Sequence, residues 1–211
     1  MCAMGLGRLH LVTDSRPGRD PVAIVRAALS VATPDLVIQF RPADDWTDRY
    51  CYDLAGQIVA LCRPHGIPVL VNDRLHVGLA AGARGGHVGA DDLPVAAARR
   101  LLGPDAILGA TARVPATALR AVGDGADYLG VGPCFATVTK DDLPVAIGPE
   151  GLRAVVRQCA GTPIIAIGGV TAARVPALLA AGAHGVAVIG AVSEAPDPAQ
   201  AVADLLAAVA A

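Results

Sequence analysis

The chain has 211 residues, enough for one domain or at most two, and its net charge is −2 at neutral pH. Hydrophobic residues make up 54% and charged residues 17%, which argues against a disordered chain, and the lack of a basic stripe interleaved with aromatics argues against a nucleic-acid partner. Aromatics are only 3%, so the core has to be built from Val, Ile, Leu and Ala, a composition suited to buried parallel strands under Ala-rich helices.

The first residues, Met1 to Arg8, lack a charged stretch followed by an apolar run, so no secretory leader is expected. No run of apolar residues long enough to span a bilayer follows, and no membrane association is expected. The first strand is expected at 9–13 and delivers Thr13 and Asp14 at its end. A helix near 21–31 opens on Asp20 as cap, with Pro21 in its first position. Strand 36–41 carries Gln39 and Arg41, two apart and so on one face. A helix near 47–64 leads to strand 68–72, which ends in Asn72-Asp73-Arg74. A helix near 74–82 stops at Ala-Ala-Gly-Ala (80–83), and strand 86–89 leads into Asp91-Asp92.

Pro94 and Pro115 are expected to open the helices near 94–102 and 115–123, with strand 106–109 between them and Thr111 and Arg113 at its end. Strand 128–131 opens a long segment from Pro133 to about Gly148, of the length expected for a lid or binding loop. A helix near 150–160, a strand at 163–168 ending in Gly168-Gly169, and a helix near 172–181 follow. Ala-Ala-Gly-Ala then recurs at 180–183, directly before strand 185–189, and the chain closes with a helix near 198–210. The echo at half-length is a weak sign of a repeated βα unit.

Eight strands alternating with helices predict a parallel sheet closed into a single (β/α)8 barrel, an α/β fold, over residues 1–211. An open doubly wound sheet is the alternative, but no G-x-G-x-x-G follows the first strand. The five cysteines, Cys2, Cys51, Cys62, Cys134 and Cys159, are scattered without a C-x-x-C pair, which fits a reducing, cytoplasmic setting. Cys134 is read as a packed, inert thiol.

In such barrels the chemistry sits at the C-terminal strand ends. The glycines after the last two strands, Gly168-Gly169 and Gly190, leave backbone N–H groups open to a phosphate. Asp73 and Asp92, on neighbouring strands, are suited to one Mg2+, which takes one or two carboxylates and fills the rest with water and phosphate. Lys140 is the only lysine of the chain beside sixteen arginines, and two threonines, Thr137 and Thr139, precede it. With Arg41 and Asn72 it can hold a pyrophosphate. Two phosphorylated substrates in one barrel mouth suggest a transferase.

Each residue also has a plainer reading. Asp73-Arg74 could be a helix cap with a local ion pair, and Asp91-Asp92 a helix-opening turn. Gln39 could be satisfied inside the barrel. His87 reads as a packed histidine, and Arg113 as the start of a solvated helix face.

The chain resembles the thiamine-phosphate synthases, a family that also contains the thiazole tautomerases. The resemblance rests on Leu-Val-Thr-Asp (11–14), Ile-Gln-Phe-Arg (38–41), Val-Asn-Asp-Arg (71–74), His-Val-Gly-Ala-Asp-Asp-Leu-Pro (87–94), Leu-Gly-Ala-Thr-Ala (108–112), Gly-Val-Gly-Pro-Cys-Phe-Ala-Thr-Val-Thr-Lys (130–140), Ile-Ala-Ile-Gly-Gly-Val (165–170) and Gly-Val-Ala-Val-Ile (185–189). It implies transfer of the aminopyrimidine-methyl group from 4-amino-2-methyl-5-hydroxymethylpyrimidine diphosphate to thiazole phosphate, with release of pyrophosphate. It implies Mg2+ on Asp73 and Asp92. Gln39, Arg41, Asn72, Thr111 and Lys140 would contact the pyrimidine diphosphate, with Arg41, Thr111 and Lys140 serving the chemical step. Thr137, Val138, Thr139, Gly169, Ile189 and Gly190 would hold the thiazole phosphate. A homodimer is expected by the same resemblance.

The sequence departs from the family on the pyrophosphate side. Position 43 is Ala where the family has a second cation, position 90 is Ala where it often has Gln, and Ala112-Arg113 replaces a small residue and His. A tautomerase, or a non-catalytic paralogue that binds thiazole phosphate or thiamine phosphate, therefore stands as the alternative to a synthase.

Overall fold

The structure is a computed structural model, and it describes residues 6–137 and 145–211. Eight parallel strands pair in chain order and close on themselves: β1 (Leu9–Val12), β2 (Leu36–Phe40), β3 (Val69–Asn72), β4 (Gly85–Val88), β5 (Ile107–Ala112), β6 (Tyr128–Val131), β7 (Ile164–Ile167) and β8 (Gly185–Val188). Closure is made by β1 pairing with β8, with Leu9 beside Val186 and Leu11 beside Val188. The expected (β/α)8 barrel is the fold.

The surrounding helices are α1 (Pro21–Leu29), α2 (Asp48–Cys62), α3 (Leu75–Ala81), α4 (Val95–Leu102), α5 (Pro115–Gly123), α6 (Gly148–Gln158), α7 (Val175–Ala180), α8 (Gly190–Ser193) and α9 (Pro198–Ala210). Asp20 caps α1 as expected, accepting from the N–H groups of Val22 and Ala23, and Pro21 and Pro115 take first-turn positions. Pro94 does not. It is itself the cap residue of α4, extended at φ −54 and ψ 140, so the helix begins one residue later than its sequence suggests. β5 runs on to Ala112, three residues past its expected end. α8 was not anticipated, because four residues give no hydrophobic period to read.

The half-length echo is structural. After α3, Gly82 donates to the Leu79 carbonyl and Ala83 to that of Gly78. After α7, Gly182 donates to Leu179 and Ala183 to Leu178. Both glycines have positive φ, the usual helix stop, and each stop feeds its strand at once.

The period of two along each strand sorts side chains into two cores. Outward residues such as Leu11, Ile38, Val71, Leu108, Leu129 and Val186 pack under the helices in one large apolar cluster. Inward residues Val12, Val37, Leu70, Tyr128, Ile165 and Ala187 form a second, smaller cluster inside the barrel. The interior is not wholly apolar. His10, Gln39, Asn72 and His87 are buried there with it. Gly109 and Gly130 make this possible: a Cβ on Gly109 would overlap the Tyr128 ring and His87, and one on Gly130 would press on His87.

Candidate active site at the C-terminal strand ends

β3 ends at Asn72, which pairs in register with His87 of β4. The next residue, Asp73, takes a left-handed backbone at φ 64, the only non-glycine among the described residues to do so, while its N–H donates to the His87 carbonyl at 2.9 Å. Such a conformation costs about 1 kcal/mol or more for a residue with a Cβ and recurs where a side chain must be aimed at a ligand. The amide oxygen of Asn72, Oδ1, is buried and has no hydrogen-bond partner among the described residues. An orphaned buried acceptor beside a strained carboxylate suits a donor or cation arriving from outside.

Asp92 lies past the end of β4, exposed. Its Oδ2 accepts from the Gly89 N–H at 2.7 Å, so this carboxylate also makes the turn before α4. Of the pair Asp91-Asp92, the turn-former is therefore Asp92. Among the described residues no group of three or more His, Cys, Asp or Glu side chains could enclose a metal ion. Two carboxylates at adjacent strand ends nonetheless fit Mg2+, which needs no closed protein cage. Asp73 and Asp92 are the residues that would hold it, with the Asn72 amide one position before Asp73.

Gln39 lies on β2, and Arg41 is the first residue past its end. Gln39 is deep: its Nε2 donates to His10 Nδ1 at 2.8 Å and to Tyr128 Oη at 2.9 Å. Arg41 is half-buried, and its backbone is fixed by β1, its N–H donating to Thr13 Oγ1 and its carbonyl accepting from the Ser15 hydroxyl. Thr111, half-buried at the end of β5, lies 2.9 Å from His87 Nε2, and His87 Nδ1 lies 3.0 Å from Tyr128 Oη. Burial holds both histidines neutral, pushing His10 down to about 3 and His87 down to about 4, and pushes the Tyr128 phenol up. His87 is thus packed as expected, but within a polar chain that the sequence did not reveal.

The loop after β6 starts as a continuation of the sheet. Cys134 N–H donates to the Ile167 carbonyl and Phe135 N–H to that of Gly168. At its far end Ile147 N–H donates to the Pro133 carbonyl and Gly148 N–H to that of Cys134, so the loop has a closed neck. Arg113 ties this neck: Nε donates to the Gly132 carbonyl at 3.2 Å and an Nη2 hydrogen to the Val145 carbonyl at 2.6 Å. The position read as a solvated face is a structural clamp. Cys134 is buried and its thiol pushed up by burial to about 11, an inert group as expected. Thr137 stands at the edge of the described loop, while Val138, Thr139 and Lys140 fall outside the described residues.

The two glycines after β7 have φ 93 and 62 and pack against the loop start, where a Cβ on Gly168 would strike Pro133 and one on Gly169 would strike Phe135 and Ala136. Arg174 donates to the Gly169 carbonyl and stacks 4.6 Å above the Phe135 ring. Ile189 and Gly190 follow β8 and lead into α8. Across the seam, buried Asp14 accepts from Arg16 at 2.6 Å and from the Ser193 hydroxyl at 2.7 Å. Burial pushes this carboxyl up, but the hydrogen bonds from Arg16 and Ser193 outweigh it and hold it down at about 2.

Strained Asp73, orphaned Asn72, Asp92, Thr111, Gln39, Arg41 and the glycine pair all stand at one end of one barrel. Residues 9–192 match the family described as thiamine monophosphate synthase. The chain belongs to that family. It is 63% identical to the thiamine-phosphate synthase of Salinispora arenicola, over 94% of this chain and 95% of that protein. It is 61% identical to the thiamine-phosphate synthase of Salinispora tropica, over 97% and 98%. Among solved structures it matches thiamine phosphate pyrophosphorylase from Pyrococcus furiosus with a TM-score of 0.86 and 34% identity, over 96% of this chain and 95% of that one. Family membership makes the chain an enzyme, a synthase of the transferase class, acting on small molecules. Among the described residues no helix is long and apolar enough to cross a membrane.

Proposed function

We propose that the chain joins 4-amino-2-methyl-5-hydroxymethylpyrimidine diphosphate to thiazole phosphate with the help of Mg2+, and that the residues named from the sequence do this work. The observation that supports the reading is the left-handed backbone of Asp73 directly after Asn72, whose buried amide oxygen has no hydrogen-bond partner among the described residues. Bound there, Mg2+ would screen the negative charge that grows on the departing pyrophosphate.

The chain's own groups supply the rest. Arg41, held by its backbone to Thr13 and Ser15, is positioned to offer its guanidinium to the diphosphate. Thr111 offers a hydroxyl and Lys140 an ammonium to the same oxygens. Gln39, through its contacts with His10 and Tyr128, sets the floor on which the pyrimidine ring rests. On the other side, Gly169, Ile189 and Gly190, with Thr137 to Thr139, receive the thiazole phosphate. As pyrophosphate leaves, the cation at the pyrimidine methylene is captured by the thiazole nitrogen, held in line by its phosphate. Positioning and charge suffice, and no protein nucleophile is needed. A homodimer in the cytoplasm completes the reading, and the buried free thiols support a reducing compartment.

Ala43 leaves one cation fewer at this site than the family pattern has. Arg113 stands where a tautomerase would need a histidine, and its guanidinium is taken up by two backbone carbonyls, which supports the synthase over the tautomerase. The deciding measurement is single-turnover formation of thiamine phosphate from the two halves, with and without Mg2+. Mg2+-dependent product is expected, and Asp73→Asn should raise the Mg2+ requirement steeply. Thiazole-phosphate binding without any product would leave a binding protein and sink the reading.

A further inference from the structure

We propose that His87 and Tyr128 are positioning residues that set the polarity of the Thr111 hydroxyl, so that it meets the substrate as a hydrogen-bond donor. The argument is one of donors and acceptors along a buried row. Gln39 Nε2, an amide nitrogen that can only donate, faces both His10 Nδ1 and Tyr128 Oη, at 2.8 and 2.9 Å. Tyr128 Oη therefore accepts on that side. Its own hydrogen goes to the remaining neighbour, His87 Nδ1, at 3.0 Å. A ring nitrogen that accepts carries no hydrogen, so the neutral imidazole bears its hydrogen on Nε2, 2.9 Å from Thr111 Oγ1. Thr111 accepts it and its hydroxyl hydrogen is left over. Among the described residues nothing else takes that hydrogen, and Thr111 is half-buried at the strand end, where the hydroxyl can reach the mouth.

The sense of the row matters because the groups expected there are anionic oxygens, a step that rests on the synthase reading. Run in the opposite sense, the row would turn the Thr111 hydrogen inward to His87 and offer lone pairs to a phosphate. Each hydrogen bond also polarises the next in a low-dielectric interior. Tyr128 and His87 pack where Gly109 and Gly130 carry no Cβ, which fixes the place of both rings along the row.

The ring nitrogens answer the question directly. In the unliganded protein, 15N resonances of His87, assigned by loss of signal in His87→Gln, should show a pyrrole-type Nε2 and a pyridine-type Nδ1. The reverse pattern would overturn the polarity whatever the enzyme does. Kinetics give the second arm. Tyr128→Phe keeps the ring and removes the hydroxyl, and should lower kcat roughly tenfold, as expected for one lost hydrogen bond to a charged group. The KM for thiazole phosphate should stay unchanged. In a Thr111→Ala background the same substitution should have no further effect; equal losses in both backgrounds would refute Thr111 as the end of the row. An unaltered chain without synthase turnover would fell the synthase reading, while the ring nitrogens would still decide the polarity.

Discussion

Several arginines of this barrel tie backbone, some of them while also pairing with a carboxylate. Arg8 donates to the His184 carbonyl, Arg19 to that of Ser193, and Arg74 to those of Ala43 and Asp44. Arg99 reaches the carbonyls of Gly125, Gly103 and Ala106. The planar fork of five donors suits the multiple ties of Arg74 and Arg99, which reach several carbonyls at once. Arg113 is the instance that ties the loop neck. We expect Arg113→Ala to raise the KM for the pyrimidine diphosphate roughly five- to tenfold by loosening the loop neck, with faster amide exchange at Ile147 and Gly148; steady-state kinetics and hydrogen exchange check both. None of this was legible in the sequence, because a carbonyl carries no residue identity. The acidic strand ends were legible, since Asn72-Asp73 and Asp92 are recognisable by type and spacing. What spacing could not convey is that Asp73 is held in a left-handed backbone. Asp14 gives a second expectation. Its folded value of about 2 lies below the ordinary 3.8, so its contribution is complete above 3.8 and is lost as pH falls through 2. Asp14→Asn should therefore lower stability by about 2 kcal/mol at pH 7, a typical loss for charged hydrogen bonds, and the gap from the unaltered protein should narrow in acid. Denaturant unfolding across pH reads it.

At the scale of elements, the eight strands were readable because parallel strands buried on both faces are short continuous apolar runs, and the helix boundaries fell where Asp20, Pro21, Pro115 and the glycines indicated. The misses have local causes. Proline is tolerated both at the cap and in the first turn, so Pro94 could not fix the start of α4 to a residue. β5 extends because its alternating small residues, Gly109-Ala110-Thr111-Ala112, look like a turn but pair with Tyr128 through Val131. That same strand makes room for the interior polar row. Gly109→Ala would drive a methyl into the Tyr128 ring and His87, and should cost about 3 kcal/mol or more, with the loss read as a lowered melting temperature. At Gly123, where a Cβ meets nothing within 4 Å, the same change should be close to neutral or slightly stabilising because it lies within α5.

For the whole molecule, closure joins the first strand to the last, and α9 packs against α1, α7 and β1 to cover that join. Its inward residues Val202, Leu205, Leu206 and Val209 are buried. Leu205→Ala should remove about 2–5 kcal/mol, and because the seam belongs to the common barrel, unfolding should remain a single transition in calorimetry. The Asp14 and Ser193 contact crosses the same seam near the mouth, so the site and the closure share one set of bonds.

The backbone ties have a consequence for chemical labelling. A guanidinium does not react as an amine, so the ties made by Arg8, Arg19, Arg74, Arg99 and Arg113 offer nothing to an amine-directed reagent. Within these 211 residues Lys140 is the only side chain that ends in an amine. For the same reason an amine-directed reagent finds a single side chain here, the one in the loop whose neck Arg113 holds shut.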